Sequence, residues 1–143
     1  MTDLFFVDSN VLLYRRDSSS KAKQKRADEW LRVLWERGTG RLSVQVLNEF
    51  YVASTQKLKP GLTQREAREE TRDFFTWNPV PVSSEVVESA FDIQTRYELS
   101  YWDSLIVSAA RFANCRFLLT EDLQDGQEIS GIKVINPFEH APE

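Results

Sequence analysis

Four acids in this chain, Asp8, Glu49, Asp103 and Asp122, stand where a carboxylate could serve either the backbone or a reaction. Asp8 follows the short apolar run Leu4-Phe5-Phe6-Val7 and begins Asp8-Ser9-Asn10, three residue types that also cap helices. Asp103 falls in the first turn of a segment whose Leu105, Ile106, Ala109, Ala110 and Ala113 form an apolar face, where an acid complements the helix dipole. Asp122 follows Phe117-Leu118-Leu119 and repeats the pattern of an acid just past an apolar run. Glu49 differs, because in a helical projection it borders the face of Val46, Phe50 and Ala53, where a carboxylate is partly desolvated and needs a partner or a function.

If the four converge, their repulsion is large, since two unit charges 4 Å apart interact by roughly 4 kcal/mol at an effective dielectric near 20. Such a cluster either retains protons or binds a divalent cation. All-oxygen ligands suit Mg2+ or Mn2+ rather than zinc. One or two such ions lower the pKa of a bound water, orient it towards a phosphodiester and stabilise the leaving oxygen. That chemistry needs neither a histidine nor a nucleophilic serine. The single histidine, His140, lies close to the end of the sequence, which disfavours Ser/His hydrolysis, and Gly126 and Gly131 fit no phosphate-cradling loop. Glu121 and Asp125 flank Asp122 and could replace or assist it.

The elements that must position these acids follow from periodicity. Leu4–Val7 reads as a strand buried on both faces, and a helix carries Val11, Leu12 and Leu13. A second helix sets Ala27, Trp30, Leu31 and Leu34 on one face. Leu42-Ser43-Val44 reads as a short strand or strand end, 46–55 as a helix, and Thr63 as the cap of a charged, exposed helix that leads to Phe74, Phe75 and Trp77. Pro79–Val82 is expected as an edge strand, because proline donates no ladder hydrogen bond. Helices are expected from Ser83 or Ser84 to about Leu99 and from Trp102 to Ala113, with strands at 117–119 and 133–135. Strands alternating with helices predict one α/β domain over residues 1–143: a three-layer α/β/α sandwich on a mostly parallel sheet. Ligand sites in such sheets lie at the carboxyl ends of strands near a switch in strand order, which should bring Asp8 and Asp122 together.

Composition narrows the classes further. At 41% hydrophobic and 28% charged, the chain is an average globular sequence with no 18-residue apolar stretch, and no membrane association is expected. The lone Cys115 reads as core packing and fits a reducing cytoplasm. The net charge of −4 argues against a general nucleic-acid coat, yet residues 15–26 hold Arg15, Arg16, Lys21, Lys23, Lys25 and Arg26 against Asp17 alone. This strip reads either as a phosphate-binding surface or as a solvated helix face. Trp35, Trp77 and Tyr51 are candidates for an interface or for the core.

Four segments in order, Phe5–Tyr14, Leu47-Asn48-Glu49-Phe50, Tyr101–Ile106 and Leu119–Gln124, resemble the PIN-domain family, most closely its single-domain VapC-type toxins. The resemblance implies Mg2+- or Mn2+-dependent endonucleolytic cleavage of RNA, homodimers, and a cognate antitoxin whose tail fills the acidic groove. It implies that Asp8, Asp103 and Asp122 hold metal and that Glu49 is a second-site ligand or orients water. Ser9 stands where the family usually has threonine, Asn10 would brace the site, and Thr120 would be a polar neighbour of Asp122. Arg15, Lys21 and Lys23 are the expected substrate contacts outside the acids. The rivals are a haloacid-dehalogenase-like phosphatase, disfavoured because Asn10 occupies the place of its second acid, a receiver-type signalling domain, and a non-catalytic RNA-binding or interaction module of the same fold.

Overall fold

The computed structural model describes residues 2–143. Strand β1 (Phe5–Val7) leads to α1 (Ser9–Tyr14) and α2 (Lys21–Arg37), followed by β2 (Gly40–Arg41) and α3 (Val44–Gln56). Helix α4 (Gln64–Asp73) continues into a 3-10 turn at Phe74–Trp77, and α5 (Ser84–Tyr97) and α6 (Tyr101–Phe112) precede β3 (Phe117–Leu119), β4 (Glu128–Ile129) and β5 (Ile132–Ile135). The sheet order is β2-β1-β3-β5-β4, parallel except for β4 against β5. The chain therefore leaves β1 for β2 on one side and returns to β3 on the other, so the order switches beside the carboxyl ends of β1 and β3.

The continuous apolar character of β1 and β3 has a direct cause in this arrangement. Phe6, paired with Leu118, and Val7, paired with Leu119, point to opposite faces, and all four are fully buried because helices flank the sheet. Phe5 stacks on Phe117 at 4.9 Å between ring centroids and leans on Trp30 of α2 at 5.8 Å. The stripe Ala27, Trp30, Leu31 and Leu34 is buried as its spacing predicts. Among the described residues no helix is long and apolar enough to cross a membrane.

Two expected strands are corrected. Strand β2 is Gly40–Arg41, not Leu42–Val44, because the Ser43 side chain accepts from the Val46 amide and starts α3 at Val44. Ser43 has extended dihedrals, as a helix cap does, so a cap was read as a strand end. Gly40 is required in β2, since a Cβ there would lie 2.4 Å from the Trp77 ring. Pro79–Val82 contributes only a parallel bridge between Val80 and Ser43, consistent with two flanking prolines that lack N–H groups. The β4–β5 hairpin escaped periodicity because β4 has two residues. Its turn is Ser130-Gly131, at φ 54° and 86°, the left-handed pair that matches the strand twist of a tight hairpin.

Helix α4 corrects a third expectation. Its N-terminus is the capping box of Thr63 and Glu66, but it is not merely an exposed element, because Glu70 is 7% exposed and faces inward. Trp77 is core, Tyr51 is half-buried and Trp35 is 44% exposed against Phe74 and Trp77. Cys115 is buried, and desolvation pushes its thiol up to about 12, which leaves an inert packing residue.

Candidate functional site

Each candidate acid is delivered by a different element to one cavity. Asp8 caps α1 at the end of β1, and its Oδ1 accepts from the Ser9 amide at 2.7 Å. Glu49 comes from the middle of α3, Asp103 from the first turn of α6, where Ser100 caps the helix by accepting from the Asp103 amide, and Asp122 from the segment after β3. All four line a cavity of about 520 Å³ together with Ser9, Gln45, Asn48, Lys57 and Trp102.

Neutral side chains join the acids. Asn10 Nδ2 donates towards Asp8 Oδ2 at 3.4 Å, Thr120 Oγ1 at 3.1 Å and Asp122 Oδ2 at 3.2 Å. Thr120, fully buried, donates to Asp8 Oδ2 at 2.9 Å and accepts from the Asp122 amide at 3.1 Å. Ser9 Oγ donates to Glu49 Oε1 at 3.1 Å, and Gln45 Nε2 to Glu49 Oε2 at 3.3 Å. Asn10 and Thr120 thus tie the ends of β1 and β3 together, while Ser9 and Gln45 aim Glu49. Gln45 was missed in the sequence; its signal is the i, i+4 spacing to Glu49 on α3.

Electrostatics follow from this packing. Burial pushes Asp8 up from the ordinary 3.8 to about 7, against the lowering effect of Thr120 and the Ser9 amide, and Asp122 and Glu49 add repulsion. Asp122 is also raised, first by desolvation and then by Asp103 and Glu121. These carboxylates are held in excess negative charge that their own hydrogen-bond partners do not offset.

The three late acids differ in their partners. Glu121 accepts from Lys23 Nζ at 2.8 Å. Asp125 accepts from the Asn136 amide at 2.8 Å, which lowers its pKa, and pairs with His140 at 2.8 Å. Only Asp122 joins Asn10 and the cavity. Among the described residues, Asp125, Glu139 and His140 form the one tight group of metal-ligand types, with one ligand atom of each within 4.8 Å. That group joins the segment between β3 and β4 to the segment after β5 and contains none of the four candidate acids, which are spaced around their cavity instead. Trp30 Nε1 donates to the carbonyls of Pro137 and His140, so His140 sits in a structural clasp.

The basic strip divides. Arg15 and Arg16 converge on the buried Glu70, with Arg16 Nε 2.8 Å from Oε1. Lys23 lies over the Tyr14 and Phe138 rings and pairs with Glu121. Lys21 and Lys25 are exposed. None of the five lines the acidic cavity, where Lys57 is the only cationic side chain among the described residues.

The donor set suits a hard divalent cation. It consists of carboxylate oxygens braced by amide and hydroxyl groups, and the buried Asn10 Oδ1 has no hydrogen-bond partner. Asp8, Asp103 and Asp122, with Glu49 alongside, are the side chains able to hold one.

The family model for the PIN domain matches residues 5–124. No curated protein matches the chain. Among solved structures, FitAB bound to an IR36 DNA fragment superposes with a TM-score of 0.70 at 17% identity, covering 98% of this chain and 99% of that one. A toxin–antitoxin complex from Klebsiella pneumoniae gives a TM-score of 0.64 at 17% identity, covering 94% of this chain and 98% of that one. VapC20 from Mycobacterium tuberculosis, described as a sarcin–ricin-loop-cleaving toxin, gives 0.61 at 15% identity over 82% and 89%. At these identities the likeness is one of fold.

Proposed function

Because the chain belongs to the PIN-domain family, we propose that it is a Mg2+- or Mn2+-dependent endoribonuclease that hydrolyses RNA phosphodiester bonds, and that it acts in the cytoplasm as the toxin of a toxin–antitoxin pair. The observation that carries the reading is the bridge from Asn10 to both Asp8 and Asp122, with Ser9 and Gln45 holding Glu49 on the same cavity. Asp8, Asp103 and Asp122 would hold a divalent ion, which would supply charge neutralisation and lower the pKa of a water in the cavity. Glu49, fixed through both oxygens, accepts a proton from the attacking water. Asn10 and Thr120 keep Asp8 and Asp122 in place, and Lys57 offsets phosphate charge at the cavity wall. Water oxygen bonds to phosphorus as the bond to the leaving oxygen breaks, and that oxygen takes up a proton.

The antitoxin and homodimer parts of the proposal rest on the VapC-type resemblance and on solved relatives in fold that are toxin–antitoxin complexes. A phosphatase of the haloacid-dehalogenase type is disfavoured because Asn10, spent on bracing two acids, offers no second carboxylate. A non-catalytic module is disfavoured because its acids would have no reason to share a desolvated cavity. The purified protein should cut RNA in Mg2+ or Mn2+, lose the activity in EDTA, and lose it in Asp8→Asn while still folding by circular dichroism. Cleavage that persists in Asp8→Asn sinks the assignment.

A further inference from the structure

Trp102 is the most exposed of the large apolar side chains, at 64%, and it lines the acidic cavity beside Asp103. We infer that Trp102 is the platform on which an unpaired nucleobase of the substrate stacks next to the bond being cut. The inference rests on the ribonuclease reading above.

A cavity lined by four acids and one lysine offers phosphate little net attraction of its own, so contacts indifferent to charge add affinity there. An aromatic face is the usual one for nucleic acid, because every base has a π-face. The backbone of Trp102 is fixed, and one neighbour braces the ring. Ser100 caps α6 just before it, Tyr101 meets it edge-on at 5.5 Å and 68°, and the Trp102 carbonyl accepts from Gln45 Nε2 at 3.5 Å. Gln45 also holds Glu49, and Asp103 is the next residue, so the position of the ring is tied to two of the candidate catalytic carboxylates. A paired base has both faces covered by its neighbours in the helix, and it reaches the ring only once unstacked. Lys57 on the same cavity fits an adjoining backbone phosphate. A second copy of the chain is the poorer occupant, since a two-fold contact at Trp102 would bring Glu49, Asp103 and Asp122 against their own duplicates.

The test uses the full chain and a short unstructured RNA whose cleavage position has been mapped. Trp102→Ala should raise KM by about 5- to 100-fold, the value of one base–aromatic stack, with kcat changed only a few-fold, and Trp102→Phe should restore most of the loss. Replacing the base beside the cut by an abasic residue should penalise wild type by a similar factor and Trp102→Ala scarcely at all, because both changes remove the same contact. Equal abasic penalties in the two proteins, or an unchanged KM in Trp102→Ala, overturn the inference while leaving the nuclease reading standing. A drop from dimer to monomer in Trp102→Ala by light scattering overturns it too and assigns the ring to an interface between copies. If wild type cuts no RNA, the nuclease reading fails on its own. Quenching of Trp emission by the same RNA, compared between wild type and Trp102→Phe, then decides the stacking contact: quenching confined to wild type supports it, and equal quenching overturns it.

Discussion

Two clusters in this molecule are each built around a buried carboxylate and end in opposite states. At Glu70, two arginines from the end of α1 and just beyond it close on one buried carboxylate, so the charge is answered within the chain. At the cavity beside β1 and β3, four carboxylates meet amides, hydroxyls and a single lysine. The first cluster answers its carboxylate charge and fastens α4 to α1, although Glu70 Oε2 and Arg15 Nε are buried without a hydrogen-bond partner. The second stays electrostatically unfinished, with Asp8 held at about 7, and an unfinished buried charge is a feature that function, rather than folding, retains. The contrast also divides the cations of residues 15–26: Arg15 and Arg16 are already paired with Glu70, whereas Lys21 and Lys25 are exposed.

The largest effect should come from the unfinished cluster. Asp103→Asn keeps the size of the side chain and leaves the Ser100 cap intact, because that cap uses the Asp103 backbone amide. Cleavage should fall by about 1,000-fold, on the scale of ~4 kcal/mol of transition-state stabilisation, with Tm unchanged. A Tm that falls while specific activity survives would make Asp103 a structural residue and erase the contrast. The Glu70 cluster should respond the other way. Glu70→Ala leaves Arg15, whose side chain is only 19% exposed, without its partner, and should cost about 3 kcal/mol in chemical denaturation with cleavage per folded molecule retained. Loss of activity at full stability would instead return Arg15 and Arg16 to the substrate.

These differences show which parts of the molecule were legible in the sequence. The ends of β1 and β3 were readable because each combines an apolar run buried on both faces with an acid at its exit, and the switch in strand order brings such exits together. Glu49 was readable as a polar residue bordering an apolar helical face. Ser43 was not, because an extended N-cap and a strand end share dihedral angles and only the Val46 amide distinguishes them. Nor was Glu70, since no cation stands three or four positions from it on α4 and its actual partners lie more than fifty residues away. Local spacing also left Asp122, Glu121 and Asp125 equivalent; they separated only through Asn10, Lys23 and Asn136, which come from other elements.

The unfinished cluster should carry a stability cost that can be read by pH. Asp8 is raised in the fold, so the folded chain holds a proton that the unfolded chain releases near 3.8. Its contribution to stability is therefore full below about pH 4 and is lost as pH rises through about 7. In EDTA at pH 8 that loss approaches ~4 kcal/mol, and Asp8→Asn, which retains one of the two accepting oxygens, should recover about half of it. Urea unfolding at pH 4 and pH 8 checks this. The variant should gain on wild type only at the higher pH, and an equal difference at both would mean that Asp8 is not protonated in the fold.

The smallest effect concerns what remains of the basic strip. Lys21 and Lys25 are exposed and have no ion-pair partner among the described residues, whereas Lys23 is committed to Glu121 and two aromatic rings. If the strip guides RNA, Lys21→Gln with Lys25→Gln should weaken binding at low salt and flatten the slope of log affinity against log salt by about 1.4, the value for two phosphate contacts on a single strand. Lys23→Gln should move that slope less and lower Tm instead, because its charge closes on Glu121. A slope unchanged in the double variant makes Lys21 and Lys25 part of a solvated helix face, with Arg15, Arg16 and Lys23 structural, and leaves Lys57 as the cation that meets the substrate.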